Sequence, residues 1–281
     1  MKHAATNRSD SYVRSLARGL SVIRSFTSES SHQTLTQVAA NAKLDRAGAR
    51  RMLSTLESLG YVRRQKPEFY LTPRVLDLGY TYLSTMPLWN IAEPVMEELV
   101  NAVHESSSAS VLDGAEIVYV VRVPVQKIMT INLAIGSRLP AYCTSMGRVL
   151  LGGLSAKDLH SALTTSKLTK HTRYTLTSLP ELKRQIAHDA QQGWSLVKEE
   201  LEEGLCSISV PIFDSSNGII AAMNVTGNLS RTTPVKMVST ALPHLRQAAE
   251  KINKLIRYQR QGLRDSSGRW TASPGRSATN S

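Results

Sequence analysis

Residues 33–71 change from a helical to an alternating pattern of apolar side chains, and this change constrains the fold more than any other feature of the sequence. The first part predicts a short helix whose apolar residues are Leu35, Val38 and Ala39. Its cap is either Thr34 or Thr36. After a tight connection at residues 41–44, a second helix is predicted. Asp45 is its predicted cap, and Gly60 is the glycine expected just after its end. Its buried stripe is formed by Ala49, Met52, Leu53 and Leu56.

Two short strands follow the second helix. Residues 61–65 and 68–71 alternate in polarity around a turn at Lys66 and Pro67. A helix, a turn, a second helix and a hairpin in this order predict a winged helix-turn-helix.

The predicted outer face of this module is strongly basic. Small residues beside long cations let a helix approach a major groove, where arginine pairs with guanine or with phosphate. Cations on the wing would contact phosphate and fix the docking register. The candidate DNA-binding residues are Thr36, Gln37, Arg46, Ala47, Gly48, Arg50, Arg51, Arg63, Arg64 and Lys66. The alternative interpretation is a set of solvated cations on an ordinary helical hairpin.

The charge of the chain is unevenly distributed. The net charge is +12, and residues 1–66 hold 12 Lys and Arg against 4 Asp and Glu. Residues 251–281 hold 7 against 1, which leaves a net charge of −2 for the middle of the chain. Basic ends around a nearly neutral middle are typical of a nucleic-acid module joined to a sensing or scaffolding domain.

Cysteine content and hydropathy indicate the compartment. Cys143 and Cys206 form no CxxC pair, so we expect free thiols and a reducing environment. No apolar run approaches the roughly 18 to 20 residues of a membrane span, and the first residues lack the apolar core of a signal peptide. These features predict a cytoplasmic protein.

The chain divides into five predicted segments: a flexible N-terminus (1–11), a winged helix-turn-helix domain (12–72), a linker helix (73–88), an effector-binding domain (89–260) and a disordered tail (261–281). The linker helix begins after a Thr72 cap, and its Tyr80 and Tyr82 predict either a dimer contact or ordinary packing. The next helix is predicted to begin at an Asn90 cap, with Pro94 in its first turn.

The second domain alternates strands with helices. Strands are predicted at residues 108–113, 116–123, 127–133, 195–199, 205–213 and 218–227. Helices are predicted to begin near Ser145, at Ser155 and at Ser178, and a last helix is expected to kink at Pro243. The fold class is therefore α+β, with a mixed, mainly antiparallel sheet covered by helices.

Several sequence strings resemble the IclR family of bacterial transcriptional regulators. They are SLARGLSVIRSF, LTQVAANAKLDRAGARRMLSTLESLGYV, LTPRVLDLGYTYL, VLDGAEIVYVVRV, LPAYCTSMGRVLL, EEGL, ISVPIFD and MNVTG. The strings SLARGL, SSSASVLDG, YVVRVP and AYCTSMGRVLL are similar to the subgroup of PcaR, PcaU and PobR, which regulate the catabolism of aromatic acids along the β-ketoadipate route.

This resemblance implies an operator-binding winged helix that acts as a dimer, often as a tetramer, and a GAF-like domain that binds a small effector. It also implies a pocket formed by Thr144, Ser145, Met146 and Gly147, by the strand from Leu205 that carries Ser207, and by Asn224 and Thr226. The sequence departs from the family pattern at Met146, where small residues are common. It departs again at Asn224 and Thr226, where serines are common.

The residues favour such a pocket without the resemblance. A helix N-terminus after Thr144 and Ser145 presents unpaired N–H groups that suit a carboxylate. Tyr142 and Met146 would supply apolar walls, and Arg122 or Arg138 would neutralise a second acid group. The alternative is that these residues are ordinary helix caps, core side chains and surface cations.

Two other classes of function compete with a regulator. For an enzyme, the sequence contains no H-E-x-x-H, P-loop, G-x-S-x-G or G-x-G-x-x-G motif, and a Cys143 nucleophile would have no organised base. Glu199, Glu200, Glu202 and Glu203 form either a divalent metal site or a solvated loop. A DNA-binding structural protein would leave half of the chain without a role.

We therefore predict a regulator and not an enzyme, with no cofactor and no metal. Its operator affinity or activity would be controlled by an aromatic acid or a metabolite of the β-ketoadipate pathway. The expected partners are double-stranded operator DNA, the organic acid and further copies of the chain in a homodimer or homotetramer.

Overall fold

A computed structural model describes residues 12–27, 29–85, 88–125 and 133–262, which form two compact units. Among the described residues, the first unit comprises residues up to 85 and the second comprises residues 88–262. The predicted flexible N-terminus, most of the strand predicted at 127–133 and the predicted tail beyond residue 262 lie outside the described residues.

The first unit contains the two helices and the hairpin predicted from the sequence. Its helices are α1 (Arg14–Arg24), α2 (Leu35–Asn41) and α3 (Arg46–Ser58). Thr34 caps α2 in a reciprocal capping box with Gln37, and Asp45 caps α3. Gly60 has a φ of +80°, the left-handed conformation expected just after a helix.

A three-stranded antiparallel sheet completes this unit. Its strands are β1 (His32–Thr34), β2 (Val62–Gln65) and β3 (Glu68–Leu71), in the order β1-β3-β2. The core joins side chains from all three helices to the sheet, and its buried members are Val22, Val38, Ala42, Leu53, Leu56, Val62 and Phe69. This arrangement confirms the predicted winged helix-turn-helix.

The segment after the wing differs from the single helix expected there. A 3₁₀ turn (Pro73–Val75) follows the Thr72 cap, and helix α4 (Leu76–Thr85) follows the turn. The side chains of residues 76–82 are all exposed. The next helix, α5 (Leu88–Val103), belongs to the second unit and begins before Asn90. The expected Asn90 cap is therefore wrong, and Pro94 lies inside α5 rather than in its first turn.

The second unit is built on a six-stranded antiparallel sheet in the order β6-β5-β4-β9-β8-β7. The strands are β4 (Ser106–Asp113), β5 (Glu116–Val123), β6 (Arg138–Pro140), β7 (Ser195–Lys198), β8 (Leu205–Phe213) and β9 (Ile219–Asn228). Gly114, with a φ of +64°, opens the two-residue turn between β4 and β5. Together with the helices below, this sheet confirms the predicted α+β class.

Helices cover this sheet. They are α6 (Ser145–Gly152), α7 (Ala156–Thr165), α8 (Leu179–Gln192), α9 (Pro234–Lys236) and α10 (Leu242–Gly262). Helix α6 packs on β4, β8 and β9, while α5 and α10 pack on each other and on the sheet. Side chains of a strand alternate between the two faces. Ser207 and Ser209 of β8 bond to α6, so Ile208 and Val210 point to the other face.

One further expectation about a helix end is wrong. The Ser178 side chain makes no cap hydrogen bond to α8, although the cap of α7 by Ser155 is present. The last helical region departs from α geometry through a π turn at Met237–Ala241, just before Pro243, and the kink expected at Pro243 stays a prediction. Among the described residues, no helix is both long and apolar enough to cross a membrane.

Candidate functional site

Helix α3 presents a basic outer face. Arg46, Ala47, Arg50 and Arg51 are exposed, as the helical period predicts. The helix starts at Asp45, whose Oδ1 accepts a hydrogen bond from the Gly48 amide at 2.6 Å. This bond, aided by the nearby arginines Arg51 and Arg18, holds the pKa of Asp45 below its usual value. A charged cap therefore fixes the first turn that carries the cations.

Gly48 does not lie on this outer face, and the expectation that it does is wrong. Gly48 is buried, and a Cβ atom added to it would lie 3.3 Å from both carboxylate oxygens of Asp45. The residue therefore allows the cap to close over the first turn. Its neighbour Ala47 is exposed and keeps the place expected for it.

The two candidate residues of α2 differ in what they can offer to DNA. Thr36 and Gln37 are both exposed. The Gln37 Oε1 atom accepts from the Thr34 amide and the Thr34 hydroxyl, both at 2.8 Å. The carbonyl end of Gln37 is therefore occupied by the capping box, and its Nε2 amide remains as the donor toward a ligand.

The wing adds cations beside aromatic rings. Arg63, Arg64 and Lys66 are exposed, and the Arg64 Cζ atom lies 5.4 Å from the centre of the Phe69 ring. Arg63 pairs across the ladder with Tyr70, whose ring centre lies 5.2 Å from that of His32. The wing thus holds Arg64 against its own core ring, and Arg63 stands on the opposite face of the sheet.

The second unit contains a cavity of about 960 Å³ between the start of α6, the sheet and the loop at 199–204. Eight of the ten predicted effector-binding residues line it: Arg122, Thr144, Ser145, Met146, Leu205, Ser207, Asn224 and Thr226. They come from β5, β8, β9 and α6, which are far apart in the sequence. The fold therefore brings together residues that the sequence only suggested separately.

The other two predicted residues, Tyr142 and Gly147, do not line the cavity. The Tyr142 side chain is buried elsewhere, where its hydroxyl donates to the Thr169 carbonyl at 2.5 Å. A Cβ atom on Gly147 would lie 2.1 Å from the Ala141 carbonyl oxygen. Gly147 thus permits close contact between α6 and the preceding loop, and the expectation of ligand contact for both residues is not met.

Helix α6 directs its N-terminus to the cavity. The Thr144 hydroxyl accepts from the Gly147 amide at 3.3 Å, so the cap satisfies one of the N–H groups of the first turn. The amides of Ser145 and Met146 also belong to this turn, which has no intrahelical acceptors for them. This end of the cavity carries a partial positive charge that suits an anion.

Polar side chains cover the cavity face of the sheet at every second residue. The row includes Ser108, Ser110, Ser207, Ser209, Asn224 and Thr226. Ser207, Asn224 and Thr226 are joined by hydrogen bonds of 2.9 to 3.0 Å. The Arg122 guanidinium extends this row, with its NH1 atom 3.5 Å from the Ser108 hydroxyl. Arg138, the other candidate cation, lies outside the cavity and pairs with Asp113 and Glu116.

Two other features of the cavity were not predicted from the sequence. Tyr119 lines it, and burial raises the pKa of its phenol to about 12. Glu200 also lines it, but its carboxylate pairs at 2.7 Å with Arg148 of α6. Both charges are buried, so Glu200 is neither the solvated loop residue nor the metal ligand considered from the sequence. Within the described ranges, no group of three or more His, Cys, Asp or Glu side chains could hold a metal ion.

Cys143 also lines the cavity, but its surroundings oppose a nucleophilic role. Burial raises the pKa of the thiol to about 12. A thiolate, not a thiol, is the reactive form. Cys143 is therefore protonated at neutral pH and acts as a small apolar part of the wall.

The sequence matches two parts of one family. Residues 15–66 match the IclR helix-turn-helix domain, and residues 80–254 match the domain described as bacterial transcriptional regulator IclR C-terminal. Together these matches cover both units described above.

Similar proteins include two regulators and one solved structure. The chain is 38% identical over 242 residues to the Pca regulon regulatory protein of Pseudomonas putida, covering 86% of this chain and 83% of that protein. It is 32% identical over 254 residues to the p-hydroxybenzoate hydroxylase transcriptional activator of Acinetobacter baylyi, covering 89% and 94%. An IclR homologue from Microbacterium hydrocarbonoxydans, crystallised with 4-hydroxybenzoate, has the same fold, with a TM-score of 0.77 at 24% identity over 87% of this chain and 99% of that one.

Proposed function

Because the chain belongs to the IclR family of bacterial transcriptional regulators, we propose that α3 binds operator DNA and that the cavity of the second unit binds an aromatic acid that controls this binding. Membership of this family confirms the prediction that the protein is a DNA-binding regulator and not an enzyme. The single observation that carries the proposed control is the cavity, in which a helix N-terminus, a cation and a polar cluster meet.

The proposed DNA contact rests on the exposed cations of α3. Arg46, Arg50 and Arg51 lie on its exposed side, and the small Ala47 among them leaves room for close approach. A recognition helix of this kind reads base edges with its N-terminal residues. Arg63 and Lys66 of the wing would contact phosphate, which adds affinity without adding sequence information.

The proposed ligand is an acid with an apolar body. Arg122 and the start of α6 supply positive potential, and the polar row supplies hydrogen bonds. Apolar walls come from Leu133, Leu139, Met146, Val197, Leu201 and Leu205. An aromatic acid satisfies both parts of the cavity. The complex of the Microbacterium homologue with 4-hydroxybenzoate and the name of the Acinetobacter activator support this class of ligand.

A second copy of the chain is the proposed partner of the first unit. Leu16 of α1 is 64% exposed, and Leu76 and Tyr80 of α4 are 72% and 70% exposed. Apolar residues of this size on two helices exceed what a lone unit requires. We propose that a homodimer, or a tetramer built from dimers, covers them and presents two copies of α3 to a two-fold operator. Operator DNA of a bacterium lies in the cytoplasm, where this protein would act.

Control by the ligand requires different affinities for two arrangements of the dimer. A ligand shifts such an equilibrium only by its differential affinity, typically about 1–3 kcal/mol of coupling. We expect an aromatic acid to change the operator Kd by about 5- to 150-fold, which corresponds to that coupling.

The DNA proposal is tested by anisotropy of a labelled fragment from the intergenic region beside the gene. Arg50→Ala and Arg51→Ala should each weaken binding by about 1–3 kcal/mol if the residue reads a base. Lys66→Ala should instead reduce the slope of the logarithm of the binding constant against the logarithm of the salt concentration, by about the amount expected for one phosphate contact. Arg184→Ala removes an exposed cation from α8 of the other unit and is the matched control. A folded Arg46, Arg50 and Arg51 triple alanine variant that binds like wild type would remove α3 from the interface.

The ligand proposal is tested by calorimetric titration of the whole protein with benzoate, 4-hydroxybenzoate and 3,4-dihydroxybenzoate. Arg122→Gln should weaken the tightest binder by about 10- to 100-fold, as expected for loss of a charged hydrogen bond. Arg138→Gln removes an arginine that lies outside the cavity and should leave binding unchanged. Equal effects of the two variants would exclude the cavity as the site.

A further inference from the structure

The orientation of the Asn224 side-chain amide is fixed by the main chain of its neighbour. Its Oδ1 atom accepts from the Ser108 amide at 2.9 Å. Its Nδ2 atom is therefore the end directed to the cavity cluster, where it donates to Ser207 Oγ at 3.0 Å and to Thr226 Oγ1 at 2.9 Å. Asn224 itself is only 4% exposed, so its amide is held in this orientation by the protein.

The two bonds from Asn224 determine the role of Ser207. A hydroxyl has two lone pairs and one hydrogen. Ser207 Oγ accepts from Asn224 and also from Ser145 Oγ at 2.8 Å, so both lone pairs are used. Its hydrogen must go to Thr226 Oγ1 at 2.9 Å or to the Val225 carbonyl at 3.4 Å. The shorter contact favours donation to Thr226.

Thr226 then has no acceptor left for its own hydrogen inside the cluster. Its oxygen accepts from Asn224. Thr226 cannot donate to Ser207, because both lone pairs of Ser207 Oγ already accept hydrogen bonds. Because Thr226 lines the cavity, its hydrogen is available to a group bound there. The cluster therefore offers a donor, and not a lone pair, to whatever occupies this end of the cavity.

The chain of hydroxyls continues behind the cavity wall. Ser145 gives its hydrogen to Ser207, so at its 2.6 Å contact with Ser209 it accepts. Hydrogens thus run in one direction, from Ser209 through Ser145 and Ser207 to Thr226. Ser209 is fully buried and does not line the cavity, so this chain reaches beyond the residues that a ligand touches. Bonds aligned in this way polarise one another and strengthen the terminal donor.

We propose that Asn224 is the specificity-determining residue of the cavity, because it orients the hydroxyl chain so that Thr226 donates to an acceptor oxygen of the ligand. This inference rests on the proposed function, in which the cavity holds an organic acid. Arg122 lies in the same cross-strand row, since both it and Asn224 pair with Ser108. A carboxylate would therefore receive the Thr226 hydrogen beside a positive charge, and a ligand group that can only donate is disfavoured.

The main test reverses the chain with an isosteric change. In Asn224→Asp, one carboxylate oxygen still accepts from the Ser108 amide. The other oxygen replaces the Nδ2 donor, so it accepts hydrogen bonds from the Ser207 and Thr226 hydroxyls, to which Asn224 donates. Thr226 would then turn its hydrogen away from the ligand. The probe is the tightest binder among the three benzoates, titrated into the whole protein. We expect Asn224→Asp to weaken it at least about 100-fold, the combined effect of a lost charged bond and an added charge.

Two further variants separate hydrogen-bond direction from charge. Thr226→Val removes the terminal donor without adding charge and should weaken the acid about 10- to 100-fold, whereas Thr226→Ser keeps the hydroxyl and should restore binding. Ser230→Asp adds a carboxylate to an exposed part of the cavity wall outside the hydroxyl chain, so it gives a lower limit for the effect of an added charge. In the Thr226→Val background, Asn224→Asp should weaken the acid by a smaller factor than in the wild-type background, because only its added charge then acts.

The outcomes distinguish this inference from the proposed function. Tryptophan fluorescence melts confirm that each variant is folded. If Asn224→Asp weakens the acid equally with and without the Thr226 hydroxyl, or if Thr226→Val binds within twofold of wild type, the inference is overturned while the cavity remains the ligand site. A wild-type protein that binds none of the three benzoates overturns the proposed ligand class and this inference with it.

Discussion

Replacement of Glu200 by alanine should destabilise the second unit severely, because it would leave Arg148 charged and buried. The two side chains are almost fully buried and lie 2.7 Å apart. The Arg148 Nε atom also donates to the Tyr142 carbonyl at 3.1 Å, which prevents the guanidinium from turning toward solvent. Removing one partner of a buried ion pair costs about 3–5 kcal/mol, most of it the penalty of the remaining charge.

The structure supplies a control of equal geometry and different burial. Arg138 and Glu116 lie at the same N–O distance of 2.7 Å, but their side chains are 37% and 48% exposed. An exposed pair contributes about 0–1 kcal/mol. Glu116→Ala should therefore have a small effect where Glu200→Ala has a large one, although both variants lose an ion pair with the same shortest N–O distance. Glu200→Ala also removes the acceptor of the Leu176 amide.

Thermal unfolding followed by tryptophan fluorescence measures this difference in the right unit, since Trp89 and Trp194 lie in the second unit and residues 1–85 contain no tryptophan. For a domain of this size, 1 kcal/mol changes Tm by about 2–4 °C. We expect Glu200→Ala to lower Tm by about 6–20 °C and Glu116→Ala to lower it by less than about 4 °C. The paired change Arg148→Met with Glu200→Leu should recover part of the loss. Equal values of Tm for the two alanine variants would refute the role of burial.

Two further predictions concern packing and ionisation. Gly147→Ala should lower the free energy of unfolding by more than about 3 kcal/mol, because its Cβ atom would meet the Ala141 carbonyl. Gly79→Ala in the exposed helix α4 places its Cβ atom more than 4 Å from any other atom and should stabilise the protein by up to about 1 kcal/mol. Urea titrations followed by circular dichroism measure both changes. Burial raises the pKa of Cys143 to about 12 and that of Cys206 to about 11, both from 9.0, so their contribution to stability is complete below pH 9 and is lost as the pH rises through these values. Iodoacetamide at pH 8 should label neither thiol in the folded protein and both in urea, and labelling of Cys143 in the folded protein would contradict its burial.

Local rules predicted the parts of the fold that depend on local sequence. The cap at Asp45, the stripe of α3 and the left-handed Gly60 each depend on residues within one or two turns. Strand β1 has no such signature, because its three residues are held by pairing with β3 more than thirty positions later. The buried Gln33 shows the same limit, since it joins Ser25, Ser30 and Asn41 through hydrogen bonds. Such a residue looks like an ordinary loop glutamine in the sequence.

The errors in the cavity have a related cause. The resemblance to the family implies Gly147, and the position beside Thr144 suggests Tyr142, but the start of a helix turns neighbouring residues in different directions. The sequence could not pair Arg148 with Glu200, which stands 52 residues later. Tyr119 carried no signal beyond its place in an alternating strand. The resemblance to the family, and not residue periodicity, identified Asn224 and Thr226.

The alternating serines of β4 and β8 would normally indicate a solvent-exposed face of a sheet, yet Ser108, Ser110 and Ser209 are at most 2% exposed. Burying a hydroxyl costs about 1–3 kcal/mol unless it is hydrogen-bonded, so such a face is tolerable only where the groups bond to one another. Here each hydroxyl has a partner: Ser209 bonds to Ser145, Ser108 accepts from Arg122, and Ser110 donates to the Met146 sulfur. The polar face is therefore ordered before any ligand arrives, and a ligand can accept a hydrogen bond from Thr226 without rearranging it. Binding to such a preformed cluster avoids much of the ordering cost that limits affinity. Because Thr226→Ser keeps the hydroxyl of this cluster, calorimetry should show the same heat-capacity change of binding for this variant and for the wild type.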